Sequence, residues 1–191
     1  MTKMLSKQKK IRHKVTLVSA GRSCGFKLLR AHAVSRIQFL LGYLCDFPSA
    51  VNIRFCDAAE MQQTNAAFRG KNSSTDVLSF PAVPGTLHEA ENNNETGIII
   101  KKLNPNSVYA LGDLLVCVPV CRIQARQRGH SLAQEMERMI VHGLVHLKGF
   151  DHERGEAAWR VMSALEKALL KQLRAELNEA LWAEDNVRSK A

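Results

Sequence analysis

Apolar and polar residues change their spacing several times along the chain, and each change marks an element. Residues 15–19 form a β-branched run that predicts a strand. Helical spacing over 33–44 then stops near Asp46-Phe47-Pro48. Val51-Asn52-Ile53-Arg54-Phe55 alternates with period two, the pattern of a strand buried on one face. Spacing predicts a helix over 58–68 closed by Gly70, a strand over 76–80 halted by Pro81, and a hydrophobic strand over 111–118. Helices follow at about 119–127, 131–148 and 156–180. Strands early and helices late predict an α+β fold: a single compact domain with a mixed sheet of about four strands packed against several helices.

The expected organisation is a basic N-terminal arm over 1–14, one domain over 15–180 and a tail over 181–191. A long loop at about 84–110 is rich in Asn, with a short strand at 98–100. With 191 residues the chain is long enough to bury a core without disulfide staples. The helix over 131–148 is the most informative element. Ser131 with Gln134 makes a capping-box pattern, and Gly149 is a natural stop. Met136, Ile140, Gly143, Leu144 and Leu147 share one face, His142 and His146 lie on the other, and Val141 and Val145 extend the apolar surface. A helix so apolar is expected at the centre of the core, its histidines pointing into an enclosed space.

Histidines at i and i+4 stand one turn apart on one helix face, where both imidazoles can reach a single cation. Gly149 lets the chain turn back and bring His152 as a third ligand. Three imidazoles with a fourth position left open describe a catalytic zinc site, at the end of a central buried helix, and not a closed structural one. Such an ion lowers the pKa of water and polarises a phosphoryl or carbonyl oxygen. His13, His32, His88 and His130 have no comparable spacing and are expected in ordinary structural or surface roles. The same HxxxHxxGxxH spacing occurs in metzincin proteases, which place a glutamate after the first histidine as general base. Here that position is Gly143, which weakens a peptidase reading.

The charge is unevenly placed. The chain carries a net charge of +9, yet residues 1–45 hold ten Lys or Arg and no acidic residue. The remainder has 17 basic and 18 acidic residues, a net of −1. A basic N-terminal quarter is the electrostatic footprint expected for a polyanion such as RNA. No apolar run approaches the roughly 20 residues that cross a bilayer, so no membrane association is expected. The basic start lacks the apolar stretch of a secretory signal, and cytoplasmic residence is expected. Five cysteines without framework spacing suit reduced thiols, and Cys117 with Cys121 in the apolar stretch LLVCVPVC is expected to be buried thiol and not half of a metal site.

The segment His142-Gly143-Leu144-Val145-His146-Leu147-Lys148-Gly149-Phe150-Asp151-His152 resembles the HGxLHLxGYDH signature of the YbeY family of endoribonucleases. The resemblance extends to Asn65-Ala66-Ala67-Phe68-Arg69-Gly70-Lys71, to Thr75-Asp76-Val77-Leu78-Ser79-Phe80-Pro81, and to Leu111-Gly112-Asp113. It departs at Asn72 and Ser74, where the family usually shows Asp and Pro, and at Val145, where it shows Leu. The resemblance implies single-strand-specific, zinc-dependent cleavage of RNA in rRNA maturation, at the 3′ end of 16S rRNA, and in ribosome quality control. It implies one zinc ion on His142, His146 and His152, a functional arginine at Arg69, and rRNA precursor and the small ribosomal subunit as partners. The proton acceptor is left open among Asp151, Asp113 and solvent at the metal, with Asp151 alternatively fixing a histidine tautomer. Two other readings compete: a non-catalytic RNA-binding ribosome-assembly factor with structural zinc, and a metalloprotease-like hydrolase.

Overall fold

A computed structural model describes residues 11–19, 27–28, 30–82, 107–176 and 183–184. The expected basic arm up to residue 10 and the strand at 98–100 lie outside the described residues. Strand β1 (Lys14–Ser19) is followed by a two-residue strand β2 (Lys27–Leu28), helix α1 (Arg30–Leu44), strand β3 (Ser49–Cys56) and helix α2 (Ala58–Arg69). Then come strands β4 (Val77–Pro81) and β5 (Tyr109–Cys117) and helices α3 (Val118–Arg128), α4 (Leu132–Leu147) and α5 (Glu156–Glu176). Strand β6 (Ala183–Glu184) is last and pairs antiparallel with β2. This small ribbon carries no periodic signal long enough for the sequence to show.

The main sheet has the order β1-β3-β5-β4, with β1, β3 and β5 parallel and β4 antiparallel at one edge, so the fold is α+β with a mixed four-stranded sheet. One face carries the principal core. Leu17, Ile53, Leu114 and Val116 pack there against Ile37, Leu40 and Leu41 of α1, Met136, Ile140 and Leu144 of α4, and Met162 and Leu169 of α5. Leu78, Leu115, Cys56 and Cys117 on the other face pack with Met61 of α2. The period of two in β3 is therefore real, with Val51, Ile53 and Phe55 buried and Asn52 and Arg54 exposed.

Strand β5 begins at Tyr109, two residues before the expected start, because its backbone pairs with β3 from Ser49 onward. The register skips Leu111: Ala50 opposes Ala110 and Val51 opposes Gly112. Gly112 sits at φ +135°, and a Cβ there would lie 2.1 Å from the Phe80 carbonyl oxygen, so only glycine lets β4 approach at this point. Helix α3 starts at Val118, with a proline in its first turn. Cys45, Cys56, Cys117 and Cys121 are buried, and burial pushes the Cys121 thiol above its ordinary range. That is the setting of a packing residue and not of a metal ligand. No described helix is long and apolar enough to cross a membrane.

Candidate metal centre and cleft

The cleft is built outward from α4. Its N-terminus is fixed by the expected capping box: Ser131 Oγ accepts from the Gln134 amide at 3.2 Å while Gln134 Oε1 accepts from the Ser131 amide at 2.9 Å. Burial of almost the whole helix sets its rotation. Gly143 faces the sheet, where a Cβ would come within 2.7 Å of Leu114 Cδ2. That packing turns the neighbouring His142 and His146 towards the edge strand β4, whose Ser79 hydroxyl lies 3.5 Å from the Gly143 carbonyl. The glycine after the first histidine thus has a packing cause, and a side chain at that position would enter the sheet and not the cleft.

At its C-terminus α4 closes in two paired backbone bonds, Gly149 N to His146 O at 2.8 Å and Phe150 N to Val145 O at 3.2 Å. This is a Schellman closure, with Gly149 at φ +100° and Phe150 folded onto the core. It reverses the chain within three residues. Asp151 then caps a 3-10 turn, His152–Arg154, its carboxylate accepting from the Glu153 amide at 2.9 Å.

His142, His146 and His152 are thereby brought together, with one nitrogen from each inside a set spanning 4.8 Å. Ring centroids are 4.6 Å apart for His142 and His146, 5.3 Å for His142 and His152, and 5.1 Å for His146 and His152. The donor set fits a borderline divalent cation such as zinc, and the cluster can bind a metal. His146 is kept neutral by burial, and by the neighbouring His142 and His152, its pKa lowered to about 4. A neutral imidazole is the ligating form.

A further contact was not foreseen. His142 Nδ1 lies 2.7 Å from Oε1 of Glu166, on α5. A carboxylate there favours the tautomer with the proton on Nδ1, which leaves Nε2 available to a cation. Glu166 falls on the same stripe of α5 as buried Met162 and Leu169, so the signal available in the sequence was a charge on an apolar stripe.

The triad opens into a cleft of about 480 Å³. The histidines are half-buried, and the space they face is a cleft partly open to solvent beside the edge strand β4. Arg69, Lys71 and Arg154 line it together with His142, His146, His152 and Asp151. Arg69 is presented by the last turn of α2, which ends at Gly70 in the left-handed conformation. Buried Asn65, also in the cleft wall, donates to the Ser73 carbonyl at 2.7 Å and holds the loop after α2. Asn72 accepts from Gln62 and lies outside the cleft lining. Asp76 contributes a further carboxylate to the wall. Burial raises its pKa, but bonds from Gln124 Nε2, the Val77 amide and the Thr75 hydroxyl outweigh this and keep it ionised.

The two aspartates considered as proton acceptors separate. Asp151 reaches the cleft, but its pKa is lowered first by the Glu153 amide, and it also pairs with Arg154 at 3.6 Å. Asp113 is not in the cleft. The skipped Leu111 puts it on the sheet face of Leu115 and Cys117, opposite the face packed by α4, where it is exposed and accepts from Asn52 Nδ2 at 2.7 Å.

A family model described as "Endoribonuclease YbeY" matches residues 28–174. The proteins named endoribonuclease YbeY of Gloeobacter violaceus and Pseudomonas entomophila are 40% identical over 121 residues and 36% identical over 126 residues. These matches cover 63% and 65% of this chain, and 55% and 68% of the respective relatives. The solution structure of TM1509 from Thermotoga maritima superposes with a TM-score of 0.55 at 20% identity, over 85% of this chain and 90% of that one, and it shows the fold.

Proposed function

Because this chain belongs to the YbeY endoribonuclease family, we propose that it is a single-strand-specific, zinc-dependent endoribonuclease acting in the cytoplasm on rRNA precursor of the small ribosomal subunit. The observation that carries this reading is the convergence of three imidazoles on the cleft that Arg69 also lines.

His142, His146 and His152 would hold one zinc ion, which supplies Lewis acidity to a phosphodiester and to attacking water. The chain's own side chains do the rest. Cleavage builds negative charge on the non-bridging oxygens, and the planar donor fork of Arg69 suits the stabilisation of that charge. Lys71 and Arg154 add positive charge along the same groove, where a single strand's phosphates would run. Asp151 acts by position: it caps the turn that presents His152. Asp113 takes no part in this scheme, since it lies on the other sheet face. The position after His142 has no room for a glutamate base, which removes the feature a peptidase would share.

The test is cleavage of single-stranded and duplex RNA by the wild type and His146→Ala, with metal content measured on the same samples. The expected result is loss of both zinc and cleavage in the variant and a preference for the single strand in the wild type. A variant that keeps stoichiometric zinc would refute the ligand assignment. RNA binding that persists while no sample cleaves would favour the assembly-factor reading.

A further inference from the structure

Phe68 is the most exposed of the large apolar side chains among the described residues, 70% accessible, while most others of its kind are buried. Single exposed apolar residues are common and need no cause, but three features set this one apart. It is the residue before Arg69, on the same last turn of α2 that carries Asn65 and Arg69 into the cleft wall. Its ring rests edge-on against Phe80, with centroids 5.1 Å apart and planes at 71°, and Phe80 packs on the α2 side of the edge strand whose Ser79 and Pro81 line the cleft. The turn that carries it is locked at both ends of the following loop, by the left-handed closure at Gly70 and the bond from Asn65 to Ser73. An aromatic ring, braced on one edge by Phe80 and largely open to solvent, thus stands beside the cleft that Arg69 and Lys71 line.

We propose that Phe68 is a nucleobase-stacking residue, receiving the base of a nucleotide adjacent to the phosphate that Arg69 engages. This rests on the nuclease reading above and deepens it. A strand whose phosphates follow Arg69 and Lys71 must turn its bases towards one wall or outward, and Phe68 offers that wall a π-face. Stacking on an aromatic ring is sequence-tolerant because every base has such a face, and it requires a base free of its duplex partner. Phe68 therefore supplies a physical origin for preference for single strands without hydrogen-bond readout of sequence.

The experiment is steady-state cleavage of a short single-stranded RNA, and of the same RNA with abasic positions, by the zinc-loaded wild type, Phe68→Ala, Phe68→Leu and Phe68→Trp. Losing one stacked base should raise KM about tenfold in the Ala and Leu variants, with a smaller effect on kcat. Phe68→Trp should match or improve on the wild type. On the abasic RNA the wild type should lose the same factor, and Phe68→Ala should cause no further loss. Phe68→Leu keeps an apolar contact with Phe80, so a leucine variant equal to the wild type would overturn stacking. An unchanged KM in Phe68→Ala, with the wild type cleaving normally, would overturn it and leave the nuclease reading intact. A wild type that cleaves no single-stranded RNA would defeat both.

Discussion

Glu166 Oε1 stands 2.7 Å from His142 Nδ1, across 24 residues of sequence and between two different helices. This contact decides which nitrogen of His142 faces the cleft. Without it the imidazole could rotate or carry its proton on either nitrogen, and one of the three proposed ligands would lose its orientation. Removing such a partner costs a metal site roughly 10- to 100-fold in affinity. Glu166→Ala should therefore lower zinc affinity by about that factor, read by competition with a chromogenic chelator. Affinity equal to the wild type would show that the carboxylate does not orient the ligand.

Arg69 lines the cleft but is not one of the three clustered imidazoles. Arg69→Ala should leave zinc content and thermal midpoint unchanged while cleavage falls by about 10² to 10³, the usual loss for one donor to a developing oxyanion. Arg69→Lys should recover only part of it, since an ammonium lacks the planar fork. Unchanged cleavage would remove Arg69 from the site.

The backbone of β4 passes so close to Gly112 that no side chain fits. Gly112→Ala combines a contact with the Phe80 carbonyl and a φ that L-residues rarely adopt, and should cost at least about 2 kcal/mol in a urea titration. Since β4 also carries Ser79 and Pro81 in the cleft wall, cleavage per folded molecule should fall as well. A stability loss with normal specific activity would show that the cleft tolerates movement of β4.

Glu135 is fully buried at the start of α4, yet its carboxylate accepts from Arg128 at 2.7 Å and Arg138 at 2.8 Å and lies 3.1 Å from His130 Nδ1. Burial alone would raise its pKa, but the bonds from Arg138 and His130, with the charges of Arg138 and Arg128, bring it below the ordinary value of 4.5. A carboxylate with a folded pKa below its unfolded one stabilises the fold above the unfolded value and loses that contribution as pH falls through the folded one. Glu135→Gln should then cost about 1.5–3 kcal/mol near neutral pH. Its stability should also fall less steeply than the wild type's below about pH 4.5. Parallel curves for the two proteins would refute the assignment.

The sequence by itself determined the local features of this protein. The capping box at Ser131, the stop at Gly149, the co-facial pair His142 and His146 and the return of His152 are all set within one helix and its closing turn. Short-range geometry is enough to specify them. The alternation in β3 and the early strands followed by late helices likewise gave the sheet and its class, since burial of one face imposes its period on the chain.

Only the tertiary structure decided what those residues meet. The skipped Leu111 in β5 moves Asp113 to the far face of the sheet, and a one-residue slip in a strand reverses every side chain after it. Packing of Gly143 on Leu114 sets the rotation of α4, and the histidine site faces a cleft partly open to solvent beside the edge strand β4. The apolar stripe of α5 marked Glu166 but not its partner, which lies across a helix-to-helix contact, and Phe68 carried no periodic signal for the role proposed for it. Such contacts join residues far apart in the chain, and helical or strand spacing encodes which way a side chain points but not what stands opposite it.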